Sequence, residues 1–470
     1  MTELTTSLPL AAGILATVLV GVVAVWWLVP ALRAWPPSLG LMMCAATLVP
    51  PHATIAAGIG ADDAPVLIGL VVLAIPAARA IRDGGLTRVP FGMVVAVGAT
   101  MLASAMAVSS VVNAEGAGAT VSMLIRSAVR VMLYASVVVA VLALRRSGPV
   151  QRVVTGSMVA VASLESVISL LAYAIGLPAG FGLQPADGAS ALVGEIPGRA
   201  IGTTSLASNF LAAVLVLTIP LTLGWWFGEH RSRALLRAAL AVSVLLQMVT
   251  LVLTYTRVSL VVTAVAVVAV AAMRVRAVAA AGGVLPWRRM LAASAAVAAL
   301  LVLVFMTTPL AQRLTADGND RLALYDSAVR VFVDHPVAGV GPGEQADVTA
   351  ADPARYRSTT FGVATANAHN TVLLAAAENG VLGLLGAVVC TVGFAGAAVA
   401  GIRRAGTSPV GWGQAKAGVA VLAFLLQGMT NNLYTVTLTA TAMLLVLAAC
   451  VCEPAATPRR PPPLSRSTTE

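Results

Sequence analysis

The chain has 470 residues, of which 59% are hydrophobic and only 10% are charged, and it carries a formal net charge of +10. A soluble globular protein uses about 25% charged residues to cover its surface, so the composition excludes that class. It predicts instead an all-α, polytopic transmembrane helical bundle.

Apolar runs predict the membrane spans in chain order. We predict about thirteen spans, within a range of about twelve to fourteen, near residues 8–29, 37–50, 64–81, 90–112, 120–144, 153–176, 206–228, 234–255, 258–274, 290–307, 371–400, 414–430 and 434–452. The first run is too long for a signal peptide and lacks a basic flank before it, so it is predicted to be a span.

The longest polar interruption divides this single membrane domain. We predict N-terminal spans over 1–308, a large extracytoplasmic loop with short helices over 309–370, C-terminal spans over 371–453 and a disordered cytoplasmic tail over 454–470.

Basic residues collect on alternate connections, near 79–88, 145–152, 231–237, 274–289, 403–416 and in the tail at 459–466. By the positive-inside rule these connections face the cytoplasm, which places the C-terminus there and the connection before residue 371 outside. The net positive charge is therefore explained by topology and by contact with anionic membrane lipids, without a nucleic-acid partner.

A second set of arginines lies on the side that this rule leaves outside, or within a span. Its members are Arg126, Arg130, Arg199, Arg257, Arg313, Arg321, Arg330, Arg355 and Arg357. An arginine at the centre of a span costs about 2.5–3.5 kcal/mol on insertion scales. These positions therefore predict an anionic partner on the outer face.

Arg126 and Arg130 are four residues apart, which places them on one face of the predicted fifth span. They either reach the outer lipid headgroups, pair with a buried acid such as Glu165 or Glu378, or hold a phosphate between planar guanidinium groups.

The outer loop carries its own helix signal. Asn319 and Asp320 are suitable caps, and Leu322, Tyr325, Val329 and Phe332 recur at helical spacing before Pro336. This pattern predicts an amphipathic helix that lies on the outer membrane surface.

A glycine-rich block, HPVAGVGPG at residues 335–343, follows this helix. It begins at His335, and Gly339 and Gly341 permit tight turns. Two interpretations stay open: an ordinary loop, or backbone amides offered to a phosphate or sugar.

His369 and Asn370 stand where the loop returns to the apolar run TVLLAAAENGVLGLLG. Asn370 is predicted to cap a helix that opens at Thr371, which would place His369 beside the positive end of a helix dipole. There a neutral imidazole would accept a proton and an anion would be attracted, although a histidine in a loop is also often without function. Glu378 is nine residues further on and faces about 180° away, so a direct pair with His369 is not expected.

Four blocks in order resemble the O-antigen ligase and O-antigen polymerase superfamily. They are GRAIGTTSLASNFLA (198–212), TYTRVSL (254–260), HPVAGVGPG (335–343) and the histidine-asparagine pair followed after nine residues by GVLG (380–383). The resemblance covers roughly residues 195–390, and it leaves ligase and polymerase both open.

The resemblance implies a metal-independent glycosyltransferase of the GT-C type in the cytoplasmic (inner) membrane, active in cell-surface polysaccharide biosynthesis. It would need no cofactor, and its donor would be a polyprenyl-pyrophosphate-linked glycan, with a glycan, lipid or protein as acceptor. The motifs imply that Arg199 and Arg257 bind the pyrophosphate, and that His369 activates the acceptor hydroxyl or assists at the diphosphate. We add Arg126, Arg130 and Arg321 as further candidates for pyrophosphate binding.

Two other classes of function stay open. A transporter or flippase predicts paired discontinuous helices around a midplane site, whereas the polar residues here cluster at the outer end. A non-catalytic membrane subunit of a polysaccharide assembly complex would lack a functional His369. The adjacent Asp62 and Asp63 are interpreted as a solvated turn and not as a metal site.

Overall fold

The computed structural model describes residues 54–56, 59–60, 82, 91–113, 148–175, 200, 208–228, 234–280, 282, 319–358, 367–405, 408–431, 433, 443, 446–447 and 449–451. The predicted spans near 8–29, 37–50, 64–81, 120–144 and 290–307 and the predicted tail at 454–470 lie outside these residues. The count of about thirteen spans therefore stays a prediction.

The described elements are helical apart from one short antiparallel pairing of β1 (Thr54–Ala56) with β2 (Ile59–Gly60). The helices are α1 (Gly92–Val112), α2 (Gly148–Ile175), α3 (Ser208–Gly228), α4 (Ala234–Leu253), α5 (Arg257–Ala280), α6 (Asn319–Asp334), α7 (Gln345–Ala351), α8 (Pro353–Tyr356), α9 (Thr371–Arg403) and α10 (Pro409–Gly428).

Six of the described helices, α1 to α5 and α9, are long and apolar enough to cross a membrane. The chain is a multi-pass membrane protein. Three boundaries differ most from the predicted ones: α2 begins at Gly148 instead of near 153, α5 continues beyond residue 274 to Ala280, and α10 begins at Pro409 instead of near 414. The earlier start of α10 has a local cause, because the Ser408 hydroxyl accepts a hydrogen bond from the Gly411 amide and Pro409 occupies the first turn.

Helix α3 lies at the centre of the described bundle. It is apolar on every side, and Leu211, Leu215, Leu217 and Ile219 are fully buried. A helix without a polar face can pack against protein or against lipid, and α3 packs against α2, α4, α5 and α10.

A buried polar network also joins α2, α3 and α4. The Gln247 amide donates to Ser243 at 2.9 Å and to Thr222 at 3.0 Å, while the Ser163 and Ser243 hydroxyls lie 2.6 Å apart. Such hydrogen bonds between helices help to hold a membrane bundle together, where apolar contacts alone do not distinguish protein from lipid.

Helix α9 packs most closely on α1. The close approach is possible because Gly386 lacks a side chain, since an added Cβ would come within 2.7 Å of the Leu102 amide nitrogen of α1. Gly380 has a different role, because its φ of 66° and ψ of −159° interrupt the helix. Thus α9 consists of a segment before Gly380 and a longer segment after it.

The first segment of α9 lies against α6, α7 and the loop between them. Apolar residues of α6, of the loop after it, of α8 and of the start of α9 form one cluster, against which Val348 of α7 packs: Ala328, Val331, Val340, Tyr356, Ala368, Leu374 and Ala377. This cluster fixes the position of α6 relative to the start of α9. The polar residues at the start of α9 also contact the end of α10, since Asn370 donates to the Met429 carbonyl and Thr371 to the Asn431 carbonyl.

Helix α6 confirms the predicted helix before Pro336. The face that packs against the protein contains Ala323, Leu324, Ala328 and Val331, whereas Leu322 and Val329 are each 44% exposed. Of the predicted membrane-facing stripe, Leu322 and Val329 are thus exposed, whereas Tyr325 and Phe332 are partly buried. That this stripe contacts the membrane surface stays a prediction.

Candidate functional site

Polar side chains gather at one end of the bundle, where α3, α5 and α9 begin and α4 and α10 end. We call it the site end. The opposite end closes differently: the Trp412 indole donates to the Gly224 carbonyl at 2.7 Å, and Lys416 and Arg274 lie over the rings of Trp225 and Trp412. The candidate site is therefore confined to the site end.

The first corner of the site is the tight turn between α4 and α5. Tyr255 adopts a positive φ of 52°, which reverses the chain so that Arg257 opens α5. The Thr256 hydroxyl donates to the Asn209 carboxamide oxygen at 3.2 Å, which ties the turn to the start of α3.

The Ala200 amide donates to the Leu253 carbonyl at 2.8 Å, so the residue that follows Arg199 lies beside this turn. Arg199 itself, and the predicted phosphate ligands Arg126 and Arg130, lie outside the described residues.

Arg321, on the first turn of α6, is the second cation at this corner. Burial lowers the pKa of its guanidinium, the Tyr325 phenol opposes that shift, and the positive charge of Arg257 lowers the pKa further. This effect on Arg321 indicates that the Arg257 guanidinium lies within range of electrostatic repulsion. An anion placed between them would relieve that repulsion.

His369 and Asn370 form the other corner. Asn370 caps α9 as predicted, since its carboxamide oxygen accepts from the amides of Val372 at 2.9 Å and Leu373 at 3.0 Å. His369, just before the cap, is held at a positive φ of 30°, a backbone conformation that is uncommon outside glycine. Its partly buried imidazole lies beside the positive end of the helix dipole.

Tyr325 connects the two corners. Its hydroxyl donates to the Met429 carbonyl at 3.1 Å, and the side-chain amide of Asn370 donates to the same oxygen at 2.9 Å. Burial raises the pKa of Tyr325, while Arg321 and a hydrogen bond with Asn370 oppose that shift. Arg321 and Tyr325 are one helical turn apart on α6, so a single helix links the cation pair to the cap beside His369.

The glycine-rich block at 335–343 has a structural use. The amides of Val340 and Gly341 donate to the carbonyls of Ala377 and Glu378 at 3.1 and 3.0 Å, and the Val381 amide donates to the Pro336 carbonyl at 2.7 Å. These bonds satisfy backbone groups that the interruption of α9 would otherwise leave unpaired.

Gly339 and Gly341 have positive φ values of 69° and 111°, which allow the block to lie directly on the backbone of α9. The Gly339 amide donates to the His335 carbonyl at 3.0 Å. Both glycine amides are thus hydrogen-bonded to carbonyls of the protein itself. The block stabilises the interruption in α9. The Gly339 and Gly341 amides, which could have bound a ligand, donate to protein carbonyls instead.

His335 and Glu378 are not part of either corner: one is exposed and the other is buried. His335 is exposed, and its Nε2 lies 3.2 Å from the Tyr356 hydroxyl, next to the ion pair of Arg355 with Asp334. Glu378 is 3% exposed at the interruption of α9, where its carbonyl accepts from the Ser109 hydroxyl at 2.7 Å.

Several residues at the site end were missed by the sequence reasoning. Asn209, Tyr325, Gln427, Met429 and Asn431 all contribute to the contacts between the corners. The signal that indicates the last three is QGMTNNLYT at 427–435, a partly polar run directly after an apolar span. Tyr325 was counted only as a member of an apolar stripe.

Among the described residues, no group of three histidine, cysteine, aspartate or glutamate side chains could hold a metal ion. Asp62 and Asp63 lie outside the part of the chain that the structure describes.

The comparisons with known proteins identify one family. Residues 242–388 match the model of a family described as O-antigen ligase. The match includes Arg257, Arg321 and His369, and it confirms the resemblance to the O-antigen ligase and polymerase superfamily. A search of curated proteins found no match.

Proposed function

Because residues 242–388 carry the pattern of the O-antigen ligase family, we propose that this membrane protein transfers or polymerises a glycan from a polyprenyl-pyrophosphate carrier to an acceptor hydroxyl. The family match supports an enzyme of polysaccharide biosynthesis that uses lipid-linked glycans. The acceptor is a glycan, lipid or protein, and the reaction belongs to the GT-C type.

One observation carries this proposal. Arg321 of α6 lies near Arg257 at the start of α5, and Tyr325 of α6 shares the Met429 carbonyl with Asn370, next to His369. A diphosphate requires concentrated positive charge, and guanidinium groups supply it as planar donors. An acceptor hydroxyl requires a proton acceptor, and an imidazole at a helix N-terminus is suited to that role.

In the proposed reaction the acceptor oxygen attacks the anomeric carbon of the glycan. The bond between that carbon and the phosphate oxygen breaks, and its electron pair stays on the departing pyrophosphate. Arg257 and Arg321 stabilise the charge that grows there, with Arg199 as a further candidate, and His369 takes the proton of the acceptor hydroxyl. The charge is neutralised by side chains, so no cofactor is required.

The proposed location is the cytoplasmic membrane, with the site end outside and the C-terminus in the cytoplasm. The support comes from the arginine-rich connections, such as Arg403 and Arg404 at the opposite end of α9.

Purified protein, incubated with a polyprenyl-pyrophosphate-linked glycan and candidate acceptors, tests the proposal by the release of polyprenyl pyrophosphate. We expect release by the wild type and a loss of about 100-fold or more in His369→Ala, because general base catalysis contributes about 10²–10⁴-fold. His335→Ala is the matched control and should retain activity. Equal rates for wild type and His369→Ala would contradict the role of His369, and no release with any donor would contradict the reaction.

A further inference from the structure

Two carboxamides on the last turn of α10 and just beyond it have unused hydrogen-bonding groups. Gln427 is 0% exposed and Asn431 is 1% exposed; Gln427 lies on the last turn of α10, and Asn431 lies just beyond its end. Within the described part of the chain, there is no hydrogen-bond partner for the side-chain oxygen or nitrogen of Asn431, nor for the side-chain oxygen of Gln427. Burying such groups without partners destabilises a fold. The protein without a ligand therefore gives no reason for these two carboxamides to be buried.

The two residues lie between the corners of the candidate site. The Gln427 amide reaches the Asn209 carbonyl at 3.5 Å, and the Asn209 side chain accepts from Thr256, the neighbour of Arg257. On the other side, the Asn431 carbonyl accepts from the Thr371 hydroxyl at 3.1 Å, two residues after His369.

We propose that Gln427 and Asn431 form a subsite for the sugar that is attached directly to the pyrophosphate. This inference rests on the proposed function. The anomeric carbon must lie between the departing pyrophosphate and the acceptor hydroxyl, so the sugar ring occupies the space between the arginine corner and His369.

A carboxamide suits this position chemically. It presents a donor and an acceptor side by side, as vicinal sugar hydroxyls do, and it adds no charge that would compete with the diphosphate. Both side chains are covered in the empty site, so the sugar binds with a local rearrangement at the end of α10. Both residues lie beyond residues 242–388, and the O-antigen ligase match therefore assigns them no role.

The test compares two probes on the purified full-length protein: polyprenyl pyrophosphate without sugar, and the same lipid carrying one N-acetylglucosamine or one glucose. The wild type should bind at least one sugar-bearing lipid about tenfold more tightly than the bare lipid. Asn431→Leu and Gln427→Leu should bind the bare lipid as the wild type does and lose this preference. Gln151→Leu, a buried carboxamide at the opposite end, is the control and should keep it.

Thermal unfolding separates a ligand-binding role from a structural one. Leucine has nearly the shape of asparagine and leaves no polar atom without a partner, so Asn431→Leu should unfold at a temperature equal to or above that of the wild type. A lower unfolding temperature together with unchanged sugar preference would overturn the inference.

The outcomes also distinguish the two proposals. If the wild type binds the bare lipid but neither sugar increases its affinity, the subsite is wrong while the proposed function stands. If Asn431→Leu and Gln427→Leu both keep the sugar preference, the subsite is likewise wrong. If the wild type binds none of the lipids, the proposed function itself fails and the subsite fails with it.

Discussion

At the residue scale, the best-defined feature is the carbonyl of Met429. It accepts from both Tyr325 and Asn370, and Asn370 in turn caps the helix that His369 precedes. A single acceptor thus fixes the loop helix α6 and the start of α9 against the end of α10. The orientation of His369 depends on this arrangement although Met429 contributes only its backbone.

Replacing Tyr325 by phenylalanine tests that dependence. The change removes one hydrogen bond of about 1 kcal/mol, so we expect kcat to fall about fivefold with little change in KM, because the base is mispositioned while the arginines remain. Steady-state release of polyprenyl pyrophosphate measures it. Tyr356→Phe removes a phenol that contacts exposed His335 and should leave kcat unchanged; an equal loss in both variants would argue against a specific role of Tyr325.

At the element scale, the interruption of α9 organises the site. Gly380 has a left-handed φ of 66°, and an added Cβ would collide with the Val337 carbonyl. The interruption exposes carbonyls that the glycine-rich block 335–343 then binds. The block and α9 therefore form one structural unit, and the short first segment of α9 belongs to it.

Gly380→Ala should therefore destabilise the protein by about 3 kcal/mol, from backbone strain and overpacking together. The unfolding temperature of the purified protein measures the change. Gly343→Ala is the matched control, since Gly343 also has a positive φ, of 89°, but faces open space within the described structure. It carries only the strain and should cost about 1 kcal/mol. If both variants lost the same stability, the contact with Val337 would not matter.

Local rules predicted the elements better than their contacts. The cap at Asn370 and the helix before Pro336 follow from short-range chemistry, and both are confirmed. The interruption at Gly380 was not predicted, because its cause is a hydrogen-bonding partner some forty residues earlier in the chain. The buried face of α6 was not predicted either, since that helix has apolar residues on two sides and periodicity does not choose between them.

At the scale of the whole molecule, the two ends of the bundle differ in kind. The opposite end places Arg274 and Lys416 on tryptophan rings, whereas the site end places Arg257 and Arg321 close to each other. The interruption of α9, which a transporter would use as a midplane binding site, is instead covered by the backbone of the block 335–343. This arrangement supports chemistry at one membrane face.

The orientation of the molecule can be tested with single cysteines in a variant that lacks its four native cysteines. Val337→Cys lies on the loop at a position that is 77% exposed, and Ala405→Cys follows α9 at the opposite end and is also exposed. In right-side-out vesicles we expect a membrane-impermeant maleimide to label Val337→Cys, and to label Ala405→Cys only after permeabilisation. The reverse pattern would invert the proposed topology.

The most direct test of the site is the affinity for polyprenyl pyrophosphate without a glycan. We expect Arg257→Gln and Arg321→Gln each to weaken binding by about tenfold or more, because a hydrogen bond to a charged group contributes about 1.5–3 kcal/mol. The double variant should show less than additive loss, since both groups contact one ligand. Arg355→Gln, which breaks an exposed ion pair with Asp334, should bind as the wild type does. Unchanged affinity in Arg257→Gln and Arg321→Gln, with the protein folded, would contradict a shared diphosphate site at this end of the bundle.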